Sequence, residues 1–261
     1  VHRQHVSQDR FNVLAVTHQS PGVLLCTHMD TVPPFEAFQQ KEGWIWGRGS
    51  CDAKGSMAAM ITAADELREA GEHWFGLLFV VGEEYDSDGA RTAAKTSPGS
   101  HSVILGEPTD NRLAVAQKGS LVFRMTARGD GGHSAGSGVS ALHRLIRRAQ
   151  QLLDTGWGQD SLLGTTTLNI GTLEGGEAVN VIAPSAGLKG IFRLAGPSEP
   201  VRDKLLSVAD DHVSIEILSI SEPQRFHSVE GFETTVVGFG SDAAWLRPLG
   251  QVCLAGPGSI R

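Results

Sequence analysis

The residues able to do chemistry fall into four short clusters. Thr27-His28-Met29-Asp30 sets a histidine and a carboxylate two positions apart, and Gly49-Ser50-Cys51-Asp52-Ala53-Lys54 offers a second carboxylate. Glu83 and Glu84 are adjacent, and Glu107 stands in Gly106-Glu107-Pro108-Thr109. One imidazole among several carboxylates is ligand chemistry suited to zinc, with cobalt or manganese as substitutes. With His28, Asp52, Glu84 and Glu107 as ligands, one carboxylate can bridge two ions roughly 3.5–4 Å apart, the geometry of a two-metal hydrolase. On an extended segment Asp30 points the same way as His28, so it suits the task of orienting the imidazole. Glu83 is then a free carboxylate beside a ligand, placed to act as a general base toward water.

The elements around these clusters explain why they could meet. Each acidic group or histidine is read as following an apolar strand-like run, Val23–Cys26, Gly76–Val81 and Ser102–Leu105 among these runs. An open α/β sheet gathers its chemistry at the carboxyl ends of its strands. The Asp52 group leads into Gly55–Glu69, which reads as a helix because Met57, Met60, Ile61, Ala64 and Leu67 recur at helical spacing. Phe11–Val16 completes a strand–strand–helix–strand–helix–strand order, an α/β pattern.

The texture changes near Leu113. Leu113–Arg128 reads as a strand pair broken at Gly119, and Val139–Leu153 as an amphipathic helix with Arg144, Arg147 and Arg148 on its wet face. Thr165–Leu173 and Ala186–Leu194 read as strands, Glu199–Ala209 as a helix capped by Ser198, and Val213–Ile220 as a last strand. The order β-α-β-β-α-β is the ferredoxin-like signature. The expected domains are residues 1–112, an insertion over 113–222, and a return to the first domain over 223–261.

The chain has 261 residues and a net charge of -7, which argues against a nucleic-acid or anionic-membrane surface. No run approaches the roughly 18 apolar residues of a membrane span, and the start has no secretory pattern. Cys26, Cys51 and Cys253 are odd in number and scattered, which fits a reducing compartment without disulfides. Trp44, Trp46, Trp74 and Trp157 are read as packing or turn residues. Both ends are abrupt, so further residues are expected at each.

The ordered motifs THMDTVPP, GRGSCDAKG, GEE, GEPT and GGHSA resemble the dinuclear zinc amidohydrolases that include acetylornithine deacetylase, succinyl-diaminopimelate desuccinylase, aminoacylase-1 and glutamate carboxypeptidase. The resemblance runs through nearly the whole chain. It implies a zinc-peptidase-like α/β catalytic domain with a mixed sheet, interrupted by a ferredoxin-like α+β lid that makes a homodimer. It implies two zinc ions, one on His28 and Glu107, one on Glu84, with Asp52 bridging. Glu83 would be the general base, Asp30 would orient His28, and His133 would stabilise the oxyanion from the partner subunit. Asn180 and Arg193 would hold the substrate, Arg193 through its carboxylate. The family's second ion also needs a histidine after GPGSIR, expected beyond Arg261.

The implied reaction is cytoplasmic hydrolysis of an N-acyl amino acid by a water between the ions, with N-acetylornithine as first choice. A desuccinylase or a small dipeptidase or carboxypeptidase is the alternative within the class. From another class, the chain would be a silent ligand-binding or partner subunit. Asp242 is expected to line the substrate pocket.

Overall fold

The computed structural model describes residues 1–259, so Ile260 and Arg261, the last two residues of GPGSIR, lie outside the described residues. The chain divides into two compact units, one built from Val1–Ala116, Arg225–Val237 and the segment from Ser241 onward, the other from Gln117–Gln224 and Gly238–Gly240.

In the first unit the chain runs β1 (His2–His5), β2 (Phe11–Val16), β3 (Val23–His28), a hairpin β4 (Gln39–Lys41) and β5 (Trp44–Trp46), α1 (Lys54–Glu69), β6 (Phe75–Val80), α2 (Asp88–Thr96), β7 (Ser102–Leu105) and β8 (Leu113–Gln117). The second unit holds β9 (Gly119–Arg128), α3 (Ala141–Leu153), a hairpin β10 (Gln159–Asp160) and β11 (Gly164–Thr165), β12 (Thr167–Gly175), β13 (Ser185–Leu194), α4 (Ser198–Leu206) and β14 (Val213–Ser221). The chain then returns with β15 (Gln224–Arg225), β16 (Thr234–Val237), α5 (Ala243–Leu246) and β17 (Gln251–Leu254).

The first unit's sheet has the order β1-β2-β6-β3-β7-β17-β8-β15, with β16 paired to β8. Strands β6, β3, β7 and β17 are mutually parallel, and β2 and β8 flank them antiparallel. This is a mixed α/β sheet. Helix α1 packs on β3 and β6, and α2 packs on β1, β2 and β6. Leu24, Cys26, Leu78, Val80, Val103 and Leu105 are buried along the parallel strands. Their near-continuous apolar sequence is what a sheet covered on both faces requires. No helix among the described residues is long and apolar enough to cross a membrane.

The second unit is an antiparallel sheet of order β12-β13-β9-β14 with connectivity β-α-β-β-α-β, the ferredoxin-like arrangement. Its core gathers Leu121, Phe123, Met125, Leu145, Leu152 and Phe192. Phe123 and Phe192 stack with centroids 5.5 Å apart, and Trp157 meets Phe192 edge-on at 4.5 Å.

Two local expectations change. Ser198 does not cap α4: it is the helix's first residue, and its hydroxyl bonds the Glu222 carboxylate. Trp157 packs as expected, but Trp44 and Trp46 stand 70% and 60% exposed because their two-stranded hairpin lies off the main sheet.

Candidate metal centre

Because β3, β6 and β7 are parallel neighbours, their carboxyl ends share one edge of the sheet. His28 is the last residue of β3, Glu83 and Glu84 follow β6, and Glu107 follows β7. Asp52 does not end a strand of this sheet, as was expected of every acidic group: it stands just before the amino end of α1, where the helix dipole favours a negative charge. Close packing sets the Glu107 turn. Thr27 Oγ1 donates to the Gly106 carbonyl at 2.8 Å. A Cβ on Gly106 would lie 2.7 Å from Met60 and 2.9 Å from Ser56 of α1, so glycine lets the helix approach this closely.

The expected ligands come together in two groups that share one histidine. His28, Asp52 and Glu107 bring ligand atoms within 4.8 Å of one another, and so do His28, Glu83 and Glu84. The second group pairs Glu84 with Glu83, whereas Asp52 was the expected partner. His28 Nε2 lies 2.8 Å from Asp52 Oδ1. His28 Nδ1 lies 3.0 Å from the Asp30 main-chain oxygen and 3.7 Å from its carboxylate. Asp30 therefore orients the ring through its carbonyl. Its carboxylate accepts the backbone N–H groups of Gly82, Glu83 and Glu84 at 2.8, 3.3 and 3.1 Å. One residue thus fixes both the imidazole and the turn that carries the glutamate pair.

Asp242 precedes α5 and is fully buried. It joins the cluster from a position the sequence marked only as pocket lining. Its signal was the Gly-Ser-Asp turn, which does not say which carboxylates it will meet.

Electrostatics test whether a cation fits here. Asp30, Asp52, Glu83, Glu84, Glu107 and Asp242 surround one imidazole; among the described residues the ion pairs these acids make are those of Asp30 and Asp52 with His28 itself, and none is with a lysine or arginine. Glu107 is 3% exposed, and its Oε1 has no hydrogen-bond partner. Burial, then Asp242, pushes the Glu83 carboxyl up to about 8. Burial and Glu83 push Glu107 well above the usual carboxylate range, and burial and Asp52 raise Glu84. Burial alone would lower the His28 imidazole, but the Asp30 and Asp52 carboxylates outweigh it and hold the ring protonated up to about 12. Buried carboxylates without cationic partners are costly. The nitrogen and oxygen donors present fit a divalent ion of the zinc type. Beside them lies a concavity of about 270 Å³ lined by Val32, Gly49, Cys51, Asp52 and Glu84. A larger one of about 400 Å³, on the second unit between Arg124, Glu174 and Lys189, contains none of these ligands.

The remaining expected residues lie on the second unit. His133 and Asn180 are brought together: Ser134 N–H donates to the Asn180 carbonyl at 2.9 Å, and His133 bridges to Val181. Arg193 is not with them. It sits opposite Ser120 and Thr167 at the far end of β13, roughly 26 Å along the strand from Ser185 at about 3.3 Å per residue.

A mixed α/β sheet whose central parallel strands carry a histidine–carboxylate cluster at their carboxyl ends fits the class of metal-dependent hydrolases of the zinc-peptidase type. The chain belongs to the peptidase family M20/M25/M40, whose model matches residues 24–258. It is 40% identical over 276 aligned positions to a "Peptidase M20 domain-containing protein" of Schizosaccharomyces pombe, covering 100% of this chain and 69% of that protein. It is 38% identical over 295 positions to a "Probable carboxypeptidase" of Aspergillus terreus, covering 97% and 68%. The di-peptidase Dug1p of Saccharomyces cerevisiae shares the fold with a TM-score of 0.74 at 15% identity, over 96% of this chain and 76% of that one.

Proposed function

We propose that this chain is a metal-dependent exopeptidase that releases the carboxyl-terminal residue of a small peptide. N-acyl amino acids, N-acetylornithine among them, are the alternative substrates. The observation that carries the reading is the pair of ligand groups converging on His28, the second of which includes the half-buried Glu83. The carboxypeptidase naming of a relative 38% identical favours a peptide over an acetylated amino acid.

In this reading His28, Asp52 and Glu107 would hold one ion, and Glu84 with Asp52 would hold a second. The chemistry a bound zinc would supply at such a site is polarisation of the scissile carbonyl and a water made nucleophilic near neutral pH. Glu83 takes the proton of the attacking water on its carboxylate and passes it to the nitrogen of the leaving amine. With a metal ion in place of the ring's second proton, an Nδ1–H donated to the Asp30 carbonyl would leave Nε2 as the ligand atom. His133 would steady the oxyanion, and Asn180 and Arg193 would hold the substrate, Arg193 as a fork on its carboxylate. The separation of Arg193 from His133 supports a site drawn from two copies of the second unit, so a homodimer through that unit belongs to the same proposal, as does action in the cytoplasm.

The test is release of the terminal amino acid from a dipeptide panel, and of acetate from N-acetylornithine, by the zinc-loaded chain and its Glu83→Gln variant. Zinc-restored hydrolysis of dipeptides that falls about 10²–10⁴-fold in the variant, the usual weight of a general base, supports the proposal. Hydrolysis of N-acetylornithine alone would replace the peptidase reading with the deacetylase one. Hydrolysis of nothing by metal-loaded protein would leave the silent binding subunit.

A further inference from the structure

Asn12 lies on β2, outside the metal cluster, and is fully buried. Its side chain closes the base of the loop that carries Glu83 and Glu84. Asn12 Oδ1 accepts the Val81 N–H at 3.2 Å, and Asn12 Nδ2 donates to the Gly89 carbonyl at 2.8 Å. Val81 and Gly89 are themselves joined, Gly89 N–H donating to the Val81 carbonyl at 3.1 Å. The loop therefore enters and leaves through one point, and a single amide bonds both ends of it. A Cβ on Gly89 would lie 2.1 Å from the Val81 oxygen and 2.7 Å from Asn12 Oδ1, so this closure needs glycine there.

We propose that Asn12 is a positioning residue for the reaction, setting the distance of Glu83 and Glu84 from His28 by locking Val81, where the turn begins, to Gly89 in the first turn of α2. The inference rests on the reading of Glu83 as base and Glu84 as ligand. The chemistry of the lock is specific. It needs an acceptor and a donor side by side on one short side chain, which asparagine supplies. Aspartate offers only acceptors, and alanine offers nothing. Gln4 gives the comparison. Its Oε1 accepts from Asn12 Nδ2 at 3.3 Å and its Nε2 donates to Ser97 Oγ at 2.8 Å, so it braces the amide without touching the loop.

The experiment compares the full chain with Asn12→Ala, Asn12→Asp and Gln4→Met. It reads backbone hydrogen exchange with and without zinc, and kcat and KM on alanyl-leucine. In Asn12→Ala, exchange over residues 82–89 should rise about tenfold or more, the equivalent of one lost buried hydrogen bond, while β7 and α1 keep their protection. The kcat should fall about 10–100-fold, the cost of a displaced catalytic group, with KM within about threefold. Gln4→Met should change neither. If Asn12→Ala does not fold, Asn12→Asp carries the test: it keeps the Val81 acceptor and sets an oxygen against the Gly89 carbonyl, so loosening should start at Gly89. Wild-type exchange in the loop, unchanged kcat, or equal damage from Gln4→Met would each overturn the inference. A Glu83→Gln variant with full activity would instead sink the reading of the base, and the exchange data would still say whether Asn12 locks the loop.

Discussion

His28 Nε2 and Asp52 Oδ1 face each other at 2.8 Å, and both are atoms a divalent ion would take as ligands. Asp52 reaches this position from the loop before α1, and His28 from the end of β3. The contact is where the helix-borne and strand-borne halves of the cluster join. Removing either partner should therefore cost metal, not only catalysis. Asp52→Ala is expected to lose zinc on dialysis while keeping the far-UV spectrum of the parent. Full zinc occupancy by elemental analysis in that variant would remove Asp52 from the ligand set.

Asp30 acts through two separate groups, its carbonyl on the imidazole and its carboxylate on three backbone N–H groups. Asp30→Ala retains the carbonyl and loses the carboxylate. It should leave the ring tautomer in place but free the Gly82–Glu84 turn. Outer partners of metal ligands are typically worth about 10–100-fold in affinity or activity, and a loss in that range is expected. Nitrogen chemical shifts of the His28 ring would separate the two roles. A tautomer change in Asp30→Ala would mean that the carboxylate, despite its 3.7 Å distance, sets the ring.

The same electrostatics fix a pH dependence. In the metal-free fold Glu83 keeps its proton up to about 8, against an ordinary value of 4.5, and His28 keeps its own up to about 12, against 6.5. Across those windows the folded state binds more protons than the unfolded chain. Stability rises with pH only where the unfolded state binds more, so here the sign is negative. Metal-free protein should lose stability as pH rises from about 5 to about 8. A divalent cation replaces those protons, so the rise in Tm on adding zinc should be larger at about pH 8 than at about pH 5.5. Thermal unfolding in chelator and in zinc at both values decides it. A metal-free Tm that climbs over this range would show that the cluster is not held protonated.

Much of this centre could be read from the sequence, for a physical reason. Each of His28, Glu84 and Glu107 follows a buried apolar strand, and parallel strands bring their carboxyl ends to one edge whatever their order. The Asn12 lock could not be read. In Phe11–Val16 a lone polar residue looks like the wet face of a strand, and its burial depends on distant elements, α2 packed on β2 and Gln4 of β1 among them. The exposure of Trp44 and Trp46 was equally hidden, since aromatic residues are buried by default and nothing local says that a hairpin stands off its sheet. Ser198 before Glu199 and Pro200 imitates a cap, but its hydroxyl is taken by Glu222, 24 positions away. These are the places where tertiary contacts override local signals.

The second unit has a core of its own, and this yields a last expectation. Phe192 is fully buried between the stacked ring of Phe123 and the edge of Trp157. Every other residue of that cluster also belongs to the second unit. Phe192→Ala deletes the shared ring, and truncations of this kind cost about 3–5 kcal/mol because the cavity closes only in part. The residues that would hold metal lie on the first unit, around a different sheet. Phe192→Ala should therefore unfold the second unit at lower temperature while zinc content at 20–25 °C, roughly the reference temperature for such energies, stays that of the parent. Two separated calorimetric transitions, only one of them shifted, would be the clearest form of that result. Simultaneous loss of zinc would instead mean that the metal cluster depends on the second unit for its own folding.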